Sequence, residues 1–491
     1  MGIGLMTYSG KVKKYKFVES VWRDRIVSKF MSLDRNHKSK NYRFRSSSEY
    51  SSYLIFDFFK SVALFLITFI SYLLIPVTMS YGETLEGFNS AELYTVKINT
   101  RIKYPFFEDS RLSRSGAGFL VDRKRGWIVT NAHVSTRNPL KTSIKFKNQK
   151  KFDAQLIYVD PYLDLAIIKI PLKNIPPKVV EANLSCEFTA KVGHPVGAFG
   201  HPFSLSFTGT RGIVSGYNLK NGRRMIQTDA PINKGNSGGA LIDLSSGSVI
   251  GINTSGYSKK DTEGIGFALP IKFVCRILDL LRQGVDPSPA KLYVELSNDP
   301  DEDTGLNVVK TYNSNWPLKV GDKIIRTKSM ENTEKFETLN DFIFSMRTNF
   351  SHNEVVIESK GVEKIVSLKV EKLPKILERK GLFISGINIG PLKERDHSIE
   401  PYSENLAIYD VKRSSEASSS GFRSFDRVIS VDGKSIKNLK ELEKYARNTM
   451  KKENASIRFL IYRQKGSYRT NSQYKLIDLK LEEIKLIQYK K

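Results

Sequence analysis

The sequence predicts a mostly β chain divided into several folded units, and three observations carry that reading. Apolar runs are short, about four to eight residues, and are closed by Gly, Asn, Asp and Pro turn signals, as in Trp127-Ile128-Val129-Thr130, Leu165-Ala166-Ile167-Ile168 and Val249-Ile250-Gly251-Ile252. At 491 residues and 40% hydrophobic content, the chain is long enough for about three domains with packed cores. Finally, Trp316-Pro317-Leu318-Lys319-Val320-Gly321-Asp322-Lys323-Ile324-Ile325 returns as Gly421-Phe422-Arg423-Ser424-Phe425-Asp426-Arg427-Val428-Ile429, a repeat at about 100 residues that reads as a duplicated module.

Residues 1–60 form a basic leader with 13 Lys and Arg against 5 Asp and Glu. Its length also fits translation from Met31. From Ser61 to Gly82 no residue is charged, and a span of about 20 such residues matches the hydrocarbon thickness of a bilayer. Residues 61–82 are therefore expected to be a transmembrane anchor or a signal peptide, with Thr78-Met79-Ser80 offering small residues for cleavage. The positive leader stays cytoplasmic, and the chain beyond Gly82 crosses the membrane. Residues 83–100 read as a linker.

Between 101 and 284, three residues belong together chemically. His133 follows the strand signal ending at Thr130, Asp164 opens the run Leu165–Ile168, and Ser237 lies in Gly235-Asn236-Ser237-Gly238-Gly239 before Ala240-Leu241-Ile242. Strand-end loops on a rigid scaffold are where catalytic groups tend to lie. A serine hydroxyl needs an imidazole to accept its proton as it attacks a carbonyl, and the imidazole needs a carboxylate to fix its tautomer. Glycines let a backbone turn sharply, so the amides of Gly235 and Ser237 are candidates to receive an oxyanion. Taken singly, each residue has a plainer reading as a turn, a structural histidine or a solvated acid. Asp153, Asp160 and Asp229 compete with Asp164.

Ser115-Gly116-Ala117-Gly118-Phe119-Leu120, Thr130-Asn131-Ala132-His133-Val134, Asp160-Pro161-Tyr162-Leu163-Asp164-Leu165-Ala166, Ile226–Asn233 and Gly264-Ile265-Gly266-Phe267-Ala268-Leu269-Pro270 resemble the HtrA/DegP family of trypsin-like proteases over about residues 101–283. The resemblance implies a chymotrypsin-like pair of six-stranded antiparallel barrels with the active site between them. It makes His133 the general base, Asp164 its orienter and Ser237 the nucleophile. Lys234 and Ala240 stand where the family usually has prolines. Trypsin-type pockets selecting Lys or Arg carry an acid six residues before the nucleophile; here that position is Pro231. An apolar pocket taking small or medium residues is expected, walled by Pro231, Asn236, Asn253, Thr254 and Ser255. The family also implies extracytoplasmic, periplasmic quality control of unfolded or misfolded proteins by trimers or larger homo-oligomers.

After Asp286-Pro287-Ser288-Pro289, a linker signal, come units at 290–373 and 379–485, each with a helix expected near 339–346 and 439–446. Both resemble the PDZ domains that trail HtrA proteases. Such domains bind an extended C-terminus at a sheet edge, its carboxylate held by backbone amides. In the second unit Gly381-Leu382-Phe383-Ile384 is the candidate carboxylate loop and C-terminal peptides the expected partners. In the first, Lys291-Leu292-Tyr293-Val294-Glu295 lacks the glycine, which points to a degenerate module.

The net charge of +27 raises nucleic-acid binding, but Lys and Arg are scattered and no basic motif is interleaved with aromatics. Nucleic acid is not an expected partner. Cys186 and Cys275 are too few for a disulfide framework and read as small buried hydrophobes. The remaining histidines lack ligand spacing, so no metal and no cofactor is expected. The alternative to an endopeptidase is a non-catalytic chaperone or peptide-sensing scaffold on a retained protease fold.

Overall fold

The computed structural model describes residues 60–67 and 89–488, apart from 107–111, 136–141, 202–206, 221–222, 257–263, 298–304, 329–335, 337, 348–352, 374, 392–405 and 464–472. Two compact units divide at Val77/Thr78. Of the first, residues 60–67 are a helix with Leu64, Phe65 and Ile67 exposed. No described helix is long and apolar enough to cross a membrane. The basic leader and residues 68–82 of the expected anchor lie outside the described residues.

The second unit opens with two closed barrels. The first contains β1 (Thr95–Ile102), β2 (Leu112–Asp122), β3 (Trp127–Asn131), β4 (Thr142–Phe146), β5 (Phe152–Asp160) and β6 (Leu165–Lys169), in the order β1-β2-β3-β6-β5-β4. The second contains β7 (Pro195–Gly200), β8 (Thr208–Lys220), β9 (Arg223–Thr228), β10 (Ala240–Asp243), β11 (Val249–Gly256) and β12 (Gly266–Pro270), ordered β10-β11-β12-β9-β8-β7. Strand β1 corrects the expected linker. Residues Thr95–Ile102 alternate apolar and polar, and Val96, Ile98 and Ile102 are buried, the period of a half-buried strand. The barrel therefore starts before residue 101.

The first barrel is filled by Ile98, Phe119, Ile128, Leu156 and Ile167, all fully buried. The interior of the second includes Val196, Ala198, Val214, Leu241 and Ala268. Helix α2 (Ile271–Arg282) follows β12 and turns its apolar face into the core shared with the first barrel; the helix before it, α1, spans Ala132–Ser135. The cysteines also need correcting. Cys275 on α2 is disulfide-bonded to Cys186 in the inter-barrel connection, with Cα atoms 6.0 Å apart. Sequence spacing of 89 residues carried no sign of that proximity.

The repeat forms two β modules. Module 1 has a two-stranded ribbon, β13 (Ala290–Lys291) with β19 (Glu371–Lys372), and a five-stranded sheet, β14 (Val294–Ser297), β15 (Leu306–Thr311), β16 (Lys323–Thr327), β17 (Asn353–Ser359) and β18 (Val362–Leu368). Module 2 has seven strands, β20 (Gly381–Ile384), β21 (Ile387–Pro391), β22 (Leu406–Val411), β23 (Arg427–Val431), β24 (Ser456–Arg463), β25 (Gln473–Lys480) and β26 (Ile484–Ile487). The duplication is visible bond by bond. Asp322 accepts the amide of Lys319, and Asp426 that of Arg423, each at 2.8 Å. Gly321 at φ +92° is replaced by Phe425 at φ +73° in the same left-handed turn. Helix α3 (Leu339–Ser345) is started by a Thr338/Asp341 capping box and α5 (Leu439–Thr449) by Asn438, which satisfies otherwise orphaned first-turn amides; between them α4 spans Glu416–Ser419.

Gly381, Leu382, Phe383 and Ile384 do not form a loop. They are the buried strand β20, paired antiparallel with β21 on one side and β26 on the other. Their ladder amides are committed to neighbouring strands, which corrects the expected carboxylate loop. Phe383 also packs with Tyr104 and Phe106.

Candidate active site

The strand registers explain how distant residues meet. In the first barrel β3 pairs antiparallel with β6, Asn131 opposite Leu165, so the residues just past Asn131 and just before Leu165 emerge at one end. These are His133, on α1, and Asp164. The Asp164 carboxylate accepts the His133 backbone amide at 3.0 Å and contacts Nδ1 at 2.7 Å. Its own carbonyl accepts the Ala132 amide at 2.9 Å. Asp164 holds this position at φ +55°, a conformation that short polar side chains tolerate best. The His133 side chain is 39% exposed and that of Asp164 13%. The imidazole is therefore partly open to solvent and the carboxylate is shielded.

Burial pushes the Asp164 carboxyl up, but the hydrogen bonds and charge of His133 outweigh this and hold it below its ordinary value. An ionised carboxylate can only accept, so Nδ1 is the nitrogen that carries a proton toward it, and a neutral ring in this orientation presents Nε2 as an acceptor. That is the state a general base requires.

Ser237 arrives from the second barrel. Ala240 on β10 opposes Ile252 on β11, and the pairing continues through Asn253 N–H to Gly239 O at 2.8 Å and Gly238 N–H to Asn253 O at 2.7 Å. The loop is pressed onto the first barrel, where the Ala117 amide donates to Ser237 O at 2.9 Å. A methyl group at Gly116 would meet both Val134, next to His133, and Ser237 O. A methyl at Gly238, φ +85°, would strike Ala117 O and the Thr130 hydroxyl, and one at Gly239 would strike Phe199 O. These glycines are fixed by close backbone approach as well as by turn geometry.

The Ser237 hydroxyl donates to the Thr254 carbonyl at 2.9 Å, and among the described hydrogen bonds none joins it to His133. Catalytic hydrogen bonds are often long or misaligned until substrate binds, and here the strand beside the serine supplies an alternative acceptor. Gly235 sits at φ +111°, its carbonyl taken by the His201 amide at 3.2 Å and the Asn236 amide turned to Asn233 O at 2.9 Å. Among the described backbone bonds of this turn, neither the Gly235 nor the Ser237 amide has an acceptor.

The expected pocket residues divide. Pro231 is exposed. Asn236 is buried, its Nδ2 3.4 Å from Pro231 O. Thr254 is buried and bridges the barrels, its hydroxyl accepting from Asn131 Nδ2 at 3.3 Å. Ser255 lies on β11 opposite Phe267. Asn253 is a correction: its fully buried side chain donates to Phe199 O and Ala240 O, so it ties β7 to β10 and does not wall a pocket. Of the competing acids, Asp153 is exposed on β5 and the other two are occupied elsewhere. Asp229 accepts the Ile213 amide, and Asp160 is ion-paired with Arg347. Sequence reasoning missed Arg114, whose Nη1 holds the His133 carbonyl at 2.8 Å, and Arg347. No group of metal-ligating side chains occurs among the described residues.

Residues 116–252 match the trypsin-like peptidase domain family. A probable DegP-like periplasmic serine endoprotease of Buchnera aphidicola subsp. Baizongia pistaciae is 30% identical over 351 residues, covering 67% of this chain and 73% of that one. The periplasmic serine endoprotease DegP of Salmonella typhimurium is 28% identical, covering 67% and 71%. Among solved structures, the HtrA-type protease AlgW with tripeptide matches with a TM-score of 0.47 and 25% identity over 59% of this chain and 97% of that one. With a relative 30% identical over two thirds of this chain and 73% of its own length, the chain belongs to the DegP/HtrA family of trypsin-like serine endoproteases.

Proposed function

We propose that the protein is an extracytoplasmic endopeptidase that degrades unfolded or misfolded proteins, with Ser237 as nucleophile. Ser237 Oγ attacks the scissile carbonyl while His133 Nε2 takes its proton and Asp164 stabilises the imidazolium. Amides of Gly235 and Ser237 receive the oxyanion; losing one such donor costs about 3–4 kcal/mol of barrier. His133 returns the proton to the leaving amine, giving an acyl-enzyme. Water deprotonated by His133 then releases the acid and restores the serine. The observation that carries this reading is the His133–Asp164 contact of 2.7 Å in a half-exposed cleft against which the Ser237 segment is hydrogen-bonded.

The finer proposals extend the same chemistry. With Pro231 in place of an acid, cleavage falls after small or medium apolar residues. The relatives named above are periplasmic by description, which favours the periplasm, reached through residues 61–82 as anchor or cleaved signal. The same reading includes a homo-trimer or larger assembly. Modules 1 and 2, spanning 290–373 and 379–485, are PDZ-like.

Unfolded casein incubated with the protein and with Ser237→Ala tests the core of this reading. The wild type is expected to degrade it and the variant to lose about 10⁴- to 10⁶-fold of the rate; equal loss of casein in both would remove Ser237 from the mechanism. Peptide-library profiling checks the pocket, and strong preference for Arg at the cleaved position would overturn it.

A further inference from the structure

Module 1 sends a charged side chain into the protease unit. Arg347, just after α3, has a side chain that is 0% exposed, as is that of its partner Asp160 at the end of β5. Its Nη2 lies 2.6 Å from Asp160 Oδ2, and its Nη1 donates to the Tyr158 hydroxyl at 3.2 Å and to the Pro287 carbonyl. Tyr158 OH in turn donates to Asp160 Oδ2 at 2.9 Å. The guanidinium stacks 4.5 Å from Phe344, which stacks on Phe273 of α2.

The other oxygen of Asp160 accepts the amides of Tyr162 and Leu163, at 3.0 and 2.9 Å. Asp160 thus caps from within the four-residue turn that ends at Asp164, the residue held at φ +55° against His133. One oxygen faces the turn and the other faces the arginine. A buried carboxylate left without its countercharge pays a large desolvation cost, and the turn it caps is the one that sets the orienting carboxylate.

We infer that Arg347 is a positioning residue for catalysis: delivered by module 1, it holds Asp160 in place and through it the turn that aims Asp164 at His133. This rests on the functional reading of His133, Asp164 and Ser237. Docking of module 1 is then part of the assembly of the base, and a chain whose module swings away has an intact serine but a loosened orienter.

The test uses the full chain and compares Arg347→Met with Asp160→Asn/Arg347→Met on a peptide substrate, well below each variant's unfolding midpoint. Arg347→Met is expected to lower kcat about 10- to 100-fold, the scale of a misplaced catalytic group, with KM within about twofold. The double variant, which keeps an acceptor for both turn amides and leaves no unpaired charge, is expected to recover most of kcat. If Arg347→Met unfolds the chain, Arg347→Lys, which keeps the countercharge but not the forked grip, carries the test: a lowered kcat at unchanged KM supports the inference and a wild-type kcat overturns it. Unchanged kcat in folded Arg347→Met, or no recovery in a folded double variant, would overturn it. Activity that survives Ser237→Ala would instead remove the functional reading beneath it.

Discussion

The two barrels prepare their shares of the cleft by different means. In the first, the His133–Asp164 pair is assembled electrostatically, with the Asp164 carboxylate receiving both the ring and the backbone amide of His133. In the second, the serine loop is assembled sterically. Gly238 and Gly239 lie against carbonyls of Ala117 and Phe199 with no room for a methyl group, while the Ser237 hydroxyl rests on Thr254 O. The contrast teaches that the proposed base, His133, is already set against its carboxylate, whereas the proposed nucleophile, Ser237, has its backbone fixed and its hydroxyl turned to Thr254.

The sharpest way to break this contrast is to remove charge from the first barrel while leaving shape alone. Asp164→Asn keeps the size of the side chain but can present an amide to Nδ1 and so favour the wrong tautomer. A loss of about 10⁴-fold in kcat is expected, with KM nearly constant, checked by steady-state kinetics. The matching change in the second barrel adds volume and no charge. Gly238→Ala must move the Ser237 loop off Ala117 and give up φ +85°, strain of about 1–3 kcal/mol. Its expected outcome is a lower unfolding midpoint together with at least about a 10²-fold loss of kcat. A Gly238→Ala protein with wild-type kcat would show that the loop is not sterically set.

A smaller effect concerns acid. Asp164 in the first barrel and Asp243 in the second are both held below their ordinary value. Burial raises each, but His133 outweighs it for the former, and Ser246, the Ser245 amide and His194 for the latter. Because the folded values are depressed, the unfolded chain binds these protons more readily. The stability they contribute is complete above about pH 5 and is lost as pH falls through the lowered values. Thermal unfolding at pH 7 and pH 3 should show a lower midpoint in acid, and Asp243→Asn should reduce that difference. An unchanged midpoint would separate these carboxylates from stability.

Much of this was legible in the residues because it is local. Strand signals at Trp127–Thr130 and Leu165–Ile168 became β3 and β6, and the repeated Gly321-Asp322 and Phe425-Asp426 turns kept the same hydrogen bonds in both modules. Gly381–Ile384 misled because an apolar run beside a glycine suits a loop of amides or a buried strand equally well. What decided between them was β26, whose Ile484 to Ile487 lie 100 to 106 positions further along the chain than their partners Ile384 to Gly381. Asn253 misled likewise: its place after a strand says nothing of the carbonyls of Phe199 and Ala240 that claim its side chain.

By itself the sequence determined the kinds of chemistry present and their order along the chain, since alternation, turn glycines and the His, Asp, Ser succession are properties of neighbours. Only tertiary structure decided which groups share charge or space. The Cys186–Cys275 bond, the Thr254 carbonyl under the serine and the burial of Arg347 against Asp160 all join segments far apart in the chain. Pairings of that kind depend on distances through space, and those exist only once the barrels close and the modules dock.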